Sequence, residues 1–522
     1  MDFVLKRAVR GPGLLLLGLA LSLAGVVATR SKGASAGLVS ARAGMEHVRF
    51  LAADRLAGRG NGKEGLEEAA RYIADRFEEF GLEPAGDSGS YFQPFTVTLT
   101  SKLGAESFLE IGGRGIEAEL RLHRDFEPMS FSAEGEIEAP LVFVGYGITA
   151  PEHDYDDYDA VDVRGKVALM LRHTPREKRP DGPFAPDRGH ATFVAKAVNA
   201  RSHGARALLI VNDPINHRGE PDLLLEFGVD LGVDDLGIPS IHLKREVAEK
   251  LFASVGKDLA RVQESIDDRL APSSFGLAGT KAHLRVEVRR RRGEVKNVLG
   301  YLPSATRDGG EEFLVVAGHY DHLGLGGRRS EGRDTEGQIH NGADDNASGT
   351  AGVLELARVF STRLDLKRGI LFSAFAGEEL GLRGSRHYVR NPTLPLARAV
   401  AMLNLDMIGR LRDDRVYVGG ADSSPGFRPV LERLGTEEDL AVSFGFSGYG
   451  ASDHSSFLLR EIPSLFFFTG LHDDYHKPSD DWERLNPAGM AKVLRLAYRT
   501  ADYLQALPER PPFRSSRKER RR

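Results

Sequence analysis

The segment ILFSAFAGEELGLRGS (370–385) joins a run of apolar residues to two adjacent glutamates, Glu378 and Glu379. The run has the continuous hydrophobicity of a strand that is buried on both faces. Neighbouring carboxylates repel each other, and each is costly to bury without a compensating charge. The segment therefore predicts a buried strand that ends in a charged site.

Four further segments bring histidine or carboxylate side chains to similar positions, mostly at the end of an apolar strand. They are FLVVAGHYDHLG (313–324), HNGADDNASGTAGVLELA (340–357), AMLNLDMIGR (401–410) and FFFTGLHDDYHKPSDDW (466–482). Each has an ordinary structural explanation by itself, such as a helix N-cap at Asp344 or Asp345. Ligand crevices of open α/β sheets form at the carboxyl ends of the strands. Five such segments together therefore predict one shared site at that edge.

The fold class follows from an alternation of apolar strands with amphipathic helices, which runs from residue 283 to 508. It predicts an α/β fold, a three-layer sandwich with a central mixed, largely parallel sheet. Residues 40–128 are expected to form the N-terminal part of this domain, beginning with paired helices within 45–81. Residues 129–275 are expected to form a separate β-rich α+β accessory domain, because they contain strands and helices but no clustered ligand set.

Composition restricts the chemistry of the site. The 522 residues include no cysteine, which excludes disulfides, thiolate ligands and a cysteine nucleophile. The formal net charge is −5, a mild balance that argues against nucleic acid as the main partner. Any metal must be bound by His, Asp and Glu. Imidazole and carboxylate ligands without sulfur favour zinc in a hydrolytic site, and five ligands suffice for two Zn²⁺ ions if one carboxylate bridges them.

The two ends of the chain are expected to lie outside the folded domains. Residues 1–36 place Lys6, Arg7 and Arg10 before an apolar run at 14–27, which is typical of an export signal. We therefore expect a periplasmic or extracellular protein, with an uncleaved N-terminal membrane anchor as the alternative. The basic segment 509–522 is expected to be a solvated tail.

The motifs GHYDH, GADDNASG, GEELGLRGS, NLDMIG and YHKPSDD resemble those of the co-catalytic di-zinc metallopeptidases. This family includes bacterial secreted leucine aminopeptidases, aminopeptidase Y and glutamate carboxypeptidase. The five motifs follow the family's order and span about 295–505. Residues 130–270 resemble the protease-associated (PA) domain that some members insert before the catalytic core.

The resemblance implies a role for each matching metal ligand. His319 and Asp406 would bind one zinc ion, and Glu379 and His476 would bind the other. Asp345, which directly precedes an asparagine, would bridge the two ions.

The resemblance also implies catalytic roles. Glu378 would be the general base, Tyr475 would stabilise the oxyanion, and Asp321 would fix the tautomer of His319. The remaining polar residues of these motifs are expected to have structural or incidental roles only: His322, His340, Asp344, Asp453, His454 and His472.

The implied activity is that of an exported zinc exopeptidase acting on peptide substrates, with an aminopeptidase favoured. A carboxypeptidase or dipeptidase of the same fold is the alternative, and it would need a basic pocket for the substrate's carboxylate. Arg383, Arg386 and Arg410 lie close to the motifs but need not face the site. A receptor-like binding protein is the alternative from another class. The complete set of ligands and the base argue against it.

Overall fold

The structure is a computed structural model that describes residues 38–113, 116–184, 188–228, 233–305, 312–327, 329–444 and 452–514. The chain divides into two compact units. One runs up to Phe95 and resumes at Val295, and the other runs from Thr96 to Glu294. The expected export signal and residues 515–522 of the basic tail lie outside the described residues. Within the described ranges, no helix has both the length and the apolar character needed to span a membrane.

The strands in chain order are β1 (Glu83–Pro84), β2 (Phe92–Leu103), β3 (Phe108–Gly113), β4 (Ile116–Leu120), β5 (Phe126–Pro128), β6 (Gly135–Phe143), β7 (Thr149–Ala150), β8 (Tyr155–Asp156), β9 (Val167–Leu171), β10 (Ala207–Val211), β11 (Ser240–Leu243), β12 (Phe275–Val286), β13 (Val288–Leu302), β14 (Phe313–His319), β15 (Gly369–Phe375), β16 (Ala399–Leu405), β17 (Arg415–Gly419), β18 (Ala441–Ser443) and β19 (Ser464–Phe468). The α-helices are Ala41–Leu51, Glu64–Glu79, Phe193–Ser202, Arg245–Ser254, Leu259–Arg269, Gly349–Ser361, Arg383–Arg390, Phe427–Glu437, His454–Leu458 and Pro487–Ala506.

The first unit contains a sheet with the order β1-β13-β15-β14-β16-β19-β17-β18, and β2 also pairs with β13. Its central strands β15, β14, β16 and β19 are parallel to one another, whereas β13 pairs antiparallel with β15 and β17 pairs antiparallel with β19. The expected mixed, largely parallel sheet is confirmed. Every residue of β14, β15, β16 and β19 is buried, as their continuous apolar sequences predicted.

Helices cover both faces of this sheet, which makes the three expected layers. On one face, Val315 and Leu371 pack in a cluster with Tyr388 of helix Arg383–Arg390 and Phe457 of helix His454–Leu458. On the opposite face, the ring of Phe372 lies 6.5 Å from those of both Phe77 and Phe360, which belong to helices Glu64–Glu79 and Gly349–Ser361. Successive strand residues point to opposite faces, so one apolar strand supplies both interfaces.

The second unit contains a mixed sheet with the order β4-β3-β12-β6-β9-β10-β11-β5. Helices Arg245–Ser254 and Leu259–Arg269 pack on one face and helix Phe193–Ser202 on the other. This unit is longer at both ends than the accessory domain expected at 129–275. Residues 96–128, expected in the peptidase domain, contribute β3, β4 and β5 to this sheet, and β12, which begins at Phe275, pairs with β3 and β6.

Candidate metal centre and active site

The site lies in the first unit, at the carboxyl ends of the parallel strands. Strand β14 ends at His319, β16 ends directly before Asp406, and β15 ends three residues before Glu378. Asp345 comes from the irregular turn Ala343–Ser348 that precedes helix Gly349–Ser361. His476 follows β19. The predicted convergence of the five segments is therefore present in the structure.

One group of candidate ligands comprises His319, Asp345 and Asp406. The Nε2 atom of His319 lies 3.3 Å from Oδ1 of Asp345 and 3.4 Å from Oδ1 of Asp406. Its Nδ1 atom lies 3.1 Å from the main-chain oxygen of Asp321, a distance suited to a donated hydrogen bond. Because that bond occupies Nδ1, Nε2 is available to bind a metal.

The second group lies on the other side of Asp345. Nε2 of His476 lies 3.2 Å from Oδ2 of Asp345 and 3.4 Å from Oε2 of Glu379. Nδ1 of His476 lies 2.9 Å from the main-chain oxygen of Arg329, so this imidazole is also oriented through its Nδ1. The two oxygens of the Asp345 carboxylate thus face different histidines, which is the arrangement that a bridging ligand requires.

The electrostatics of these groups favour bound cations. Burial raises the pKa of Glu378 well above its usual range, and Glu379 and Asp406 raise it further against the influence of His319. Although burial alone would lower the pKa of His476, hydrogen bonds with Asp345 and Glu379 raise it to about 11. The acids therefore require positive charge around them. The nitrogen and oxygen donors, the Nε2 atoms that face these carboxylates and this negative potential fit bound zinc.

Glu378 and Tyr475 lie beside the candidate ligands. Both line a cavity of about 200 Å³, and Oε2 of Glu378 is 4.0 Å from Nε2 of His319. The ring of Tyr475 stacks on that of His476, with centroids 3.9 Å apart. Burial raises the pKa of the Tyr475 hydroxyl, as do the nearby carboxylates, so the hydroxyl remains a hydrogen-bond donor.

The carboxylate of Asp321 has different contacts from those expected. It lies 3.7 Å from Nδ1 of His319, while the closer contact to that atom is the main-chain oxygen of the same residue. The carboxylate instead accepts the main-chain N–H groups of Glu378 at 3.1 Å and Glu379 at 3.3 Å, and the side-chain amide of Asn61 at 2.7 Å. Asp321 therefore shapes the turn that carries the two glutamates.

His322 was expected to be incidental, and the structure contradicts this expectation. It is 2 % exposed, and its Nδ1 atom lies 2.8 Å from Oε1 of Glu379 and 3.9 Å from Oδ2 of Asp345. Its spacing of three residues from His319, within HYDH, was the only sequence signal. His322 joins Asp345 and Glu379 in a third combination of candidate ligands.

Asp344 lies away from the candidate ligands, as expected. Its Oδ1 atom accepts the N–H of Gly409 at 2.6 Å, and its Oδ2 atom lies 3.3 Å from Nε2 of His472. The main-chain N–H groups of Asp344 and Asp345 both donate to Asp480, whose other oxygen accepts from Arg410 at 3.1 Å. Asp344, His472 and Asp480 therefore support the turn that presents Asp345. Asp453 and His454 are buried but belong to none of these combinations of candidate ligands.

Arg59 is a supporting residue that the sequence analysis did not identify. Its guanidinium is fully buried and donates to the main-chain oxygens of Tyr320 at 2.8 Å, Asn341 at 2.7 Å and Gly342 at 2.9 Å. Tyr320 directly follows His319, and Gly342 precedes Asp345 by three residues. Arg59 therefore ties together the loops that carry two of the candidate ligands.

Comparisons with known proteins match both units of the chain. Residues 297–501 match Peptidase family M28, and residues 137–251 match the PA domain. Aminopeptidase YwaD of Bacillus subtilis (strain 168) is 26% identical over 353 residues, which is 65% of this chain and 63% of that protein. The Probable lipoprotein aminopeptidase LpqL of Mycobacterium tuberculosis (strain ATCC 25618 / H37Rv) is 25% identical over 376 residues, 69% of this chain and 61% of that protein.

The chain thus spans 61% to 63% of the length of these two curated relatives. Among solved structures, the aminopeptidase from Aneurinibacillus sp. strain AM-1 has a TM-score of 0.55 and 24% identity, and the match covers 92% of this chain and 97% of that chain. That likeness shows a shared fold. The first unit of the chain is thus similar to Peptidase family M28, and the second unit is similar to the PA domain.

Proposed function

We propose that the protein is an exported, zinc-dependent aminopeptidase that removes N-terminal residues from peptides. The observation that carries this proposal is a single cavity whose lining combines His319, Asp345, Glu378, Asp406 and His476 with an apolar wall. The family match and the names of the relatives, several of which are called aminopeptidases, support the same class of reaction.

The charge of the cavity favours a substrate amine over a substrate carboxylate. Among the described residues, its lining includes three acids, Asp345, Glu378 and Asp406, and no lysine or arginine. Arg410 donates instead to Asp474 and Asp480, and Nε of Arg383 donates to the main-chain oxygen of Leu380. A carboxypeptidase needs a cation for the terminal carboxylate of its substrate, so this lining supports the aminopeptidase.

The apolar wall supports the binding of an apolar side chain next to the scissile bond. It is formed by Met407, Phe466, Phe468, Leu471 and Tyr475. Met407, Phe466 and Phe468 also form one buried cluster, against which Tyr475 packs. Burying a leucine or phenylalanine side chain here would contribute roughly 1.5–3 kcal/mol. We therefore expect substrates with apolar N-terminal residues to be preferred over charged ones.

The chain's own groups divide the work of hydrolysis. When bound by the candidate ligands, two zinc ions would supply a water of lowered pKa and polarise the substrate carbonyl. Glu378 takes a proton from the attacking water and delivers it to the leaving amine. The hydroxyl of Tyr475 donates a hydrogen bond to the carbonyl oxygen as negative charge develops on it. Asp321 keeps Glu378 in place by accepting its main-chain N–H.

Export is supported by the N-terminal sequence and by one relative. Lys6, Arg7 and Arg10 precede the apolar run at 14–27, and the relative LpqL is named a lipoprotein. The present chain contains no cysteine that could carry a lipid. Its N-terminus would therefore act as a cleaved signal or as a peptide anchor. Fractionation of producing cells, with N-terminal sequencing of the mature protein, tests this part of the proposal.

The activity is tested with matched blocked and unblocked substrates. We expect hydrolysis of leucine p-nitroanilide, no hydrolysis of its N-acetyl derivative, loss of activity with a chelator and recovery with zinc. Glu378→Gln should retain zinc and lose on the order of 10²–10⁴-fold in kcat, whereas the exposed Glu432→Gln should behave like the wild type.

Full activity of Glu378→Gln would refute the assignment of the base. Release of C-terminal residues from N-blocked peptides would replace the aminopeptidase by a carboxypeptidase. Peptide binding without hydrolysis by the zinc-loaded protein would identify a binding protein instead.

A further inference from the structure

The second unit, in which the sequence predicted no clustered ligand set, contains a cluster of potential metal ligands formed by His173, Asp213 and His217. Each offers one ring nitrogen or carboxylate oxygen, and these three atoms all lie within 4.8 Å of one another. The cluster belongs to the PA-like unit and shares no residue with the site described above.

The fold brings these residues together in the same way as it does at the first site. His173 and Asp213 each follow a strand of the second sheet by two residues, β9 and β10 respectively. The two strands are parallel neighbours, and their last residues, Leu171 and Val211, are paired in register. Their carboxyl ends therefore lie side by side, and His217 follows Asp213 by four residues.

Asp213 is fully buried and is held so that one oxygen faces the cluster. Its Oδ1 atom accepts the main-chain N–H of Asn216 at 2.9 Å and the side-chain amide of Gln263 at 2.7 Å. Its Oδ2 atom lies 2.6 Å from Nδ1 of His173. Burial alone would raise the pKa of Asp213, but its hydrogen bonds, the largest with His173, lower it, so the carboxylate is ionised.

His217 has one nitrogen fixed and the other without a hydrogen-bond partner. Nδ1 lies 3.2 Å from Oε2 of Glu220, while Nε2 is buried and makes no hydrogen bond to any described residue. A buried polar atom without a partner is unfavourable. A carboxylate on one imidazole nitrogen, with the other nitrogen free, is the usual arrangement of a metal-bound histidine. Burial also lowers the pKa of His217, which keeps the ring neutral despite Asp213.

We propose that His173, Asp213 and His217 bind a divalent transition-metal ion of the zinc class in the second unit. Two imidazoles and one carboxylate without sulfur are suitable ligands for such an ion. The ion would replace the proton shared by His173 and Asp213 and would occupy the free Nε2 of His217. It would join the ends of β9 and β10 and the following loop, and so would stabilise this unit. Nearby cations oppose binding. The guanidinium of Arg172 donates to Oδ1 of Asn212 at 3.1 Å, Lys196 interacts electrostatically with Asp213, and Lys178 lies 3.8 Å from Glu220.

The test compares zinc content across full-length variants. After dialysis at a buffered low free-zinc concentration, the wild type should contain one zinc equivalent per chain more than His217→Gln or Asp213→Asn. The matched control His123→Gln, which changes an exposed histidine hydrogen-bonded to Glu127 in the same unit, should retain the wild-type content. Asp345→Asn should lower the zinc content separately, so that failure at one site is distinguishable from failure at the other.

Location of the ion completes the experiment and does not depend on the folding of any variant. Crystals of the wild-type protein grown with zinc should give an anomalous difference peak between His173, Asp213 and His217 at the zinc edge. The proposal is overturned if no peak appears there, because the residues then form only a histidine–aspartate hydrogen bond. It is also overturned if a peak appears but zinc content is the same in wild type and folded His217→Gln, which would show an adventitious ion only.

Discussion

Replacement of Arg59 by methionine should be strongly destabilising because its guanidinium satisfies four buried carbonyls at once. It donates to the oxygens of Leu51, Tyr320, Asn341 and Gly342. Burial lowers the pKa of Arg59 to about 10, against the opposing influence of the site acids. The side chain therefore remains charged at neutral pH, and it also contributes positive charge beside the acids.

The expected magnitude follows from the groups left behind. Methionine fills most of the same volume but donates no hydrogen bond. A buried carbonyl without a donor costs roughly 1–3 kcal/mol, and the loops that carry Tyr320 and Gly342 can relax to recover part of that cost. We therefore expect the free energy of unfolding of the first unit to fall by about 3–5 kcal/mol. We also expect weaker zinc binding, because both of these loops carry candidate ligands.

Urea unfolding of the chelated protein measures this change. The chain contains one tryptophan, Trp482, which lies in the first unit, so its fluorescence reports on that unit. Arg55→Met is the matched control. Arg55 is exposed, pairs with Glu68 at 3.2 Å and should cost about 1 kcal/mol or less. Arg59→Lys should fall between the two. If Arg59→Met costs no more than Arg55→Met, the network of carbonyls does not support the site as we argue.

Three further predictions test other contacts. His322→Gln should weaken zinc binding roughly 10–100-fold in a competition titration with a chelator, because it loses an imidazole 2.8 Å from Glu379; unchanged affinity would return His322 to an incidental role. Asp480→Ala should lower activity more than stability-matched surface variants do, since two N–H groups beside Asp345 lose their acceptor; wild-type kinetics would exclude this supporting role. Burial, with help from nearby arginines, lowers the pKa of His47 from 6.5 to about 4. Between these pH values the unfolded state therefore binds more protons than the folded state, so the free energy of unfolding rises with pH. His47→Gln should reduce the stability lost on acidification by about 3 kcal/mol. Parallel pH profiles for wild type and variant would contradict it.

The central sheet and the edge that carries the site were predictable because strands buried on both faces have recognisably apolar sequences. Strands β14, β15, β16 and β19 are apolar at nearly every position, as strands buried on both faces must be. Parallel neighbours end at the same edge, so His319, Glu378 and Asp406 had to lie near one another once the strands were recognised. Motif order then added the assignment of individual residues.

The extent of the second unit and the contacts of His322 and Arg59 were not predictable in this way. Strands β2 and β3 alternate buried and exposed residues, and such a pattern does not reveal which sheet a strand joins. His322 reaches Glu379 only because of the path of its loop. Arg59 is buried because carbonyls from distant segments converge on it, whereas an arginine in a polar loop is usually exposed.

A single residue, Asp321, orients the turn that carries the adjacent glutamates Glu378 and Glu379. The two oxygens of the Asp321 carboxylate accept their consecutive main-chain N–H groups, so the turn that bears them is fixed from below. Consecutive side chains then point in different directions. Glu378 lines the cavity, where a substrate and its attacking water would bind. Glu379 turns toward His322 and His476, among the candidate metal ligands. Burying the Asp321 carboxylate close to Glu378 and Glu379 is unfavourable by itself. It is tolerated here because Asp321 accepts backbone hydrogen bonds, while the two glutamates face histidines and the proposed cations. The repulsion within the GEE segment is thus offset by different partners for each acid. In the proposed mechanism, this difference in partners would allow Glu378 to serve as the base while Glu379 serves as a ligand.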